Sequence, residues 1–144
     1  MVKENNFVIG LGSICFLQII GAIFGCFAAN IIFELPIVTI SANVRHDLSQ
    51  FLSEILATFG LVLVIFLARE VARLNIPVLV GSYIASAYWF TSSTSFANPA
   101  VTIARQFSDT FTGISPSGIP SFVLAQIFGA ILGYIVVRWL FRGV

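Results

Sequence analysis

Charge is what this sequence has least of. Asp, Glu, Lys and Arg make up 9% of its 144 residues, against about one quarter in ordinary soluble domains. So thin a supply cannot solvate a globular surface, and a water-soluble domain is excluded. Seven basic residues against six acidic leave a net charge of +1, so neither sign is in excess and no nucleic-acid partner is implied. Histidine occurs once, as His46, with no Cys, Asp or Glu at ligand spacing around it, which leaves no metal site to expect. Cys15 and Cys26 stand eleven residues apart in one apolar run, about 16 Å along a helix. A disulfide needs Cα atoms within about 7 Å, so both read as buried, unpaired packing residues. The apolar runs hold almost no ionisable group beyond Glu54. Without a nucleophile–base set an enzyme is disfavoured, and no cofactor is implied. Ion-coupled transport is disfavoured too, because it needs intramembrane carboxylates or their equivalent. Lys3 is followed at once by Glu4, with no small-residue cleavage site close behind the first apolar run, so the start does not read as a signal peptide.

What is abundant is apolar: 58% of the chain is hydrophobic. About 20 mostly apolar residues cross the hydrocarbon core of a bilayer, and four stretches qualify as spanning helices: Phe7 to about Phe33, Phe51 to Ala68, Pro77 to about Thr91, and Ser121 to Phe141. A polar loop, Ser41 to Gln50, follows the first, and Arg69, Glu70, Arg73 and Asn75 make a hydrophilic turn after the second. The chain fits one domain over residues 1–144, an all-α membrane protein embedded in a lipid bilayer.

Between the third and fourth spans lies a helix start at membrane depth. Asn98-Pro99-Ala100 follows the polar run Thr91-Ser92-Ser93-Thr94-Ser95 and leads into Val101-Thr102-Ile103-Ala104. Asn is a favoured N-cap, and Pro at the next position has its ring angle preset for the first turn. Non-helical backbone is tolerated inside a bilayer only where protein buries it or a watery cavity receives it. A re-entrant half-helix from Asn98 to about Thr110 therefore points to a solute pathway. With each span crossing once, Lys3, Arg69, Arg73, Arg138 and Arg142 fall on one side and Arg45 and Arg105 on the other. That bias places both termini in the cytoplasm.

The chain also echoes itself. Leu17-Gln18-Ile19-Ile20-Gly21-Ala22-Ile23-Phe24-Gly25 matches Ala125-Gln126-Ile127-Phe128-Gly129-Ala130-Ile131-Leu132-Gly133. Small residues four apart let membrane helices approach closely, which accounts for the glycines. The matched Gln and Ala point further, to a true repeat. By the topology above, its copies run in opposite directions, the mark of an inverted repeat.

Asn98-Pro99-Ala100, its Ser/Thr lead-in, the Glu54 helix and the paired Gln-x-x-Gly-Ala segments resemble the major intrinsic protein (aquaporin) family. Its members have six spanning helices and two half-helices in inverted halves, each half-helix opening with Asn-Pro-Ala. The resemblance covers Phe7 to Arg142 and corresponds to the third helix of a first half plus an entire second half. It implies an incomplete aquaporin-like bundle of four spanning helices and one half-helix. It also implies a multi-pass protein of the plasma or inner membrane, assembled as a homo-oligomer (a tetramer in this family).

The implied activity is passive passage of small uncharged solutes: glycerol-like polyols, water or neutral metalloid acids. The alternative is a truncated or split channel, inactive unless paired with a separately encoded first half. Asn98 would offer amide donors to the solute, and the half-helix dipole would oppose cations. Carbonyls of an extended run from Ser93 to Ala97 would form an acceptor ladder. The resemblance gives Glu54 a partner in the backbone N–H groups of the lead-in loop, with Thr58 one turn on in the same network. The other reading of Glu54, left open by its position only three residues into the helix, is an acid near the membrane surface that faces water. Where many water-selective members carry Arg after Asn-Pro-Ala, this chain has Val101. At the facing third-helix position it has Ala85 in place of a His, so the outer filter is expected to be wide and apolar. Arg105 lies one turn further, at the outer mouth, and its spacing to Asp109 suits an exposed ion pair.

Overall fold

The computed structural model describes residues 2–72 and 75–142, with side chains described for 10–70 and 75–142. Arg73 lies outside the described residues, and Lys3 has only its backbone described. The chain is helical: α1 (Val2–Ile32), α2 (Leu48–Leu67), α3 (Ile76–Phe90), α4 (Pro99–Ala104) and α5 (Ile119–Leu140). Among the described residues, three stretches are long and apolar enough to cross a membrane, Gly10–Ile32, Leu48–Glu70 and Pro116–Leu140. The helical architecture agrees with the all-α membrane protein expected from the sequence.

Two expected elements are shorter than their sequence suggested. The third span is a helix of only 15 residues, about 22 Å at 1.5 Å per residue and below the roughly 30 Å hydrocarbon thickness. Pro77 opens its first turn, and at its end Thr91 swings to φ −110°, ψ 136°. There the Thr91 hydroxyl donates to the Ala87 carbonyl at 2.6 Å, competing with helical continuation. The half-helix is regular only over Pro99–Ala104. It then tightens into a 3₁₀ turn, Arg105–Phe107, and Ser108 is extended.

The chain divides into two compact units. The first comprises Met1–Asn43 and Pro99–Pro116. Here α1 ends on Glu34 at φ 57°, with Leu35 N–H bonded to Asn30 O at 2.8 Å and Glu34 N–H to Ile31 O at 3.1 Å. This is the Schellman pattern, and Pro36 follows it. The Asn30 side chain then donates to Ile37 O and Phe107 O, both at 3.0 Å. The segment after α1 is laced to the one after α4 by Thr39 N–H to Phe107 O, Ser41 N–H to Gln106 O and Ser115 N–H to Asn43 O. Cys15 is exposed and Cys26 half-buried, both free. They are not the buried residues the apolar run suggested, because much of the α1 surface has no protein against it.

The second unit comprises Val44–Asn98 and Ser117–Val144. Helices α2 and α5 meet through small residues. A Cβ on Gly129 would collide with the Ile55 carbonyl oxygen, and one on Gly133 would lie 2.9 Å from Val62 Cβ. Glycine is what permits this approach. The second helix leaves the α-helical path in a π-helical turn, Ala68–Ala72.

Candidate functional site

The lead-in loop between α3 and Asn98 belongs to the second unit, and its backbone is unusual. Thr94, Ser95 and Ala97 have φ of 62°, 49° and 47°, a left-handed conformation that non-glycine residues adopt rarely and at about 1–3 kcal/mol each. The run from Ser93 to Ala97 is therefore not the simple extended ladder expected from the sequence.

Fixed partners hold it there. Glu54, fully buried on α2, accepts from Phe96 N–H at 3.3 Å and from Ala97 N–H at closer range. The same carboxyl group accepts from Gln126 Nε2 on α5 at 2.9 Å. Ser93 N–H reaches Ser53 Oγ at 3.5 Å, and Ser95 N–H the Ser93 hydroxyl at 3.2 Å. Phe96 packs on Phe122 with ring centroids 5.2 Å apart. Glu54 thus faces the loop, not surface water.

Thr58 does not join this network. Its hydroxyl is buried without a hydrogen-bond partner, because its side chain stands against Gly129, where an added Cβ would lie 3.0 Å from Thr58 Cβ. Tyr83 on α3 instead donates to Ala57 O at 2.9 Å.

Two participants were missed from the sequence. Arg45, placed in an outer loop, is buried. Its Nη1 donates to Ser93 O at 3.0 Å and its guanidinium lies 5.6 Å from the Phe96 ring centroid. Nothing local marks it, since a single Arg in a polar loop reads as solvated. Gln126 did carry a signal, being a polar residue in an apolar helix and half of a repeated pair.

In the first unit α4 packs along α1. A cavity of about 220 Å³ lies there, lined by Val101, Arg105 and Ser108 together with Cys26, Ala29 and Asn30. Arg105 donates to the Thr112 hydroxyl, and Asp109 accepts from Ala42 N–H at 3.0 Å and Ser41 Oγ at 3.4 Å. The expected Arg105–Asp109 ion pair is absent, because the chain leaves helical geometry after Ala104 and the four-residue spacing no longer stacks the two side chains. Ala100 is buried and Asn98 half-buried. Ala85, in the second unit, is exposed on α3. Among the described residues no group of three or more His, Cys, Asp or Glu is positioned to hold a metal.

Among known proteins, the chain is 48% identical over 125 residues to the aquaglyceroporin AqpS of Rhizobium meliloti (strain 1021), covering 87% of this chain. The chain spans about half the length of that relative, 54%. No family model and no solved structure matches it.

Proposed function

The chain belongs to the major intrinsic protein family, and we propose that it supplies one half of the wall of a passive channel for small uncharged solutes. The observation that carries this reading is the strained loop before Asn98, fixed by Glu54 at two successive N–H groups. Strain of this kind persists where the surroundings over-determine it, and it clusters at functional sites. In this reading Asn98, Pro99 and Ala100 form the pore motif, and Glu54 braces the loop. Val101 and Ala85 are the filter positions, wide and without charge, and Arg105 belongs to the outer vestibule. The cavity that Val101 lines supports a side chain turned toward space that a solute can occupy.

The second reading is a split channel, inactive until a separately encoded first half is supplied. Vesicle swelling tests it. The chain alone is expected to give no flux of water or glycerol above background, and flux is expected once a matching first half is co-expressed. Robust swelling by the chain alone would overturn the split reading.

The channel sits in the plasma or inner membrane with both termini cytoplasmic, a reading that rests on the basic residues flanking the spans. It assembles as a homo-oligomer, as the family resemblance implies. Labelling from outside intact cells checks the orientation. In a chain cleared of Cys15 and Cys26, a cysteine near Arg45 should react and one near Arg73 should not. Equal labelling of both sinks this orientation.

A further inference from the structure

Two grooves meet near the C-terminal end of α5, in the second unit. The larger, about 630 Å³, has an apolar lining of Phe66, Val137 and Phe141. The smaller, about 320 Å³, runs past Ile135 and Trp139. Arg138, Arg142 and Tyr134 line both, and the Tyr134 ring meets Phe66 edge-on, with centroids 6.2 Å apart. Glu70, from the π-helical turn that follows α2, lines the larger groove. The side chains of Glu70, Arg138 and Arg142 are exposed, and none makes a hydrogen bond or ion pair among the described residues.

We propose that these grooves hold one phospholipid whose head group carries an amine. Its phosphodiester sits on Arg138 and Arg142, its ammonium faces Glu70, and one acyl chain lies in each groove. The planar fork of a guanidinium matches phosphate oxygens two at a time. Both arginines border both grooves, which is where the glycerol of a lipid divides into two chains. They close the apolar span Pro116–Leu140, where long cationic side chains reach head-group level with their stems along apolar surface. Trp139, 67% exposed, marks the same level, as interfacial aromatics do. Glu70 selects the head group. A carboxylate repels an acidic lipid, whereas the N–H groups of a primary ammonium suit it; a choline head group brings the charge without a donor. Two cations and one carboxylate, held apart from each other, thus complement one phosphate and one ammonium. The proposal does not rest on the channel reading.

The test uses the full chain carrying Trp89→Phe, which leaves Trp139 as its only tryptophan. It is placed in vesicles of digalactosyl diacylglycerol, a bilayer lipid without phosphate. One minor component at a time carries brominated acyl chains, which quench a nearby indole: phosphatidylethanolamine, phosphatidylcholine, phosphatidylglycerol or the host lipid. Phosphatidylethanolamine should be enriched at Trp139 about fivefold over the host lipid, and about twofold over the other two phospholipids. Arg138→Gln and Arg142→Gln should each remove most of that enrichment. Arg69→Gln, at an exposed arginine outside both grooves, should leave it intact. Glu70→Gln should erase the preference for phosphatidylethanolamine while all three phospholipids stay enriched over the host. Every substituted position is exposed, and helical content verifies that each variant folds. Equal quenching by all four lipids would overturn the proposal, as would phosphatidylglycerol above phosphatidylethanolamine in the parent. Equal losses from Arg69→Gln and Arg138→Gln would overturn it too, by reducing the effect to general surface charge. Free phosphoethanolamine should not displace the lipid at equal concentration; if it did, the grooves would hold no chains and the proposal would fail. Solute flux is no part of this readout, so failure here leaves the channel reading standing.

Discussion

Gln126 donates from Nε2 to Glu54 Oε1 at 2.9 Å, across 72 residues of sequence. Because Glu54 also accepts from the N–H groups of Phe96 and Ala97, one buried carboxyl group ties α5, α2 and the lead-in loop together. In a water-poor interior each bond of such a network is strengthened by the others, and each loss leaves an unsatisfied group.

Glu54→Gln keeps the size of the side chain and replaces one acceptor oxygen by a donor. That donor would face either a backbone N–H or the Gln126 amide, so at least one bond is lost. Unfolding titration in detergent should show destabilisation of about 1–3 kcal/mol. Hydrogen exchange at Phe96 and Ala97 should accelerate while the middle of α1 is unchanged. Unaltered protection at both loop amides would show that the carboxyl group does not hold the loop.

Glycine substitutions should separate the two repeat copies. Gly129→Ala must push the α2 backbone at Ile55 and should destabilise the chain by about 1–3 kcal/mol. Gly21→Ala meets nothing within 4 Å and should be neutral, or stabilising by up to about 1 kcal/mol through helix propensity. Comparable destabilisation by both would mean that the Gly21 face is covered in the chain alone.

The filter proposal is checked in a pore completed by a co-expressed first half. Val101→Arg places a hydrated cation where an apolar wall meets the CH groups of a carbon-bearing solute. Glycerol flux should fall about tenfold while water flux falls no more than about twofold, differences of the size that pocket contacts produce. Paired swelling rates measure both. Equal loss of the two, or loss of neither, would show that Val101 does not form the filter.

The half-helix start was legible because Asn98-Pro99 is local chemistry: a cap and a preset φ act within one turn. Its end was not. Nothing between Ala104 and Thr110 forbids helix, and the 3₁₀ turn at Arg105–Phe107 belongs with long-range bonds such as Ser41 N–H to Gln106 O. The same distinction explains Arg45, whose partner Ser93 lies 48 residues away. It also explains Thr58, which shares a helix face with Glu54 yet packs on Gly129 instead of bonding with it.

By itself the sequence determined the solvent, the helices and the family. Scarcity of charge and length of apolar runs depend only on composition and order along the chain, and a bilayer reads them one segment at a time. Only the tertiary structure decided which of two nearly identical Gln-x-x-Gly-Ala stripes is satisfied. The two segments have the same intrinsic packing capacity. The difference between them is that α2 lies against Gln126, Gly129 and Gly133, while Gln18 is exposed and a Cβ built on Gly21 or Gly25 meets nothing within 4 Å.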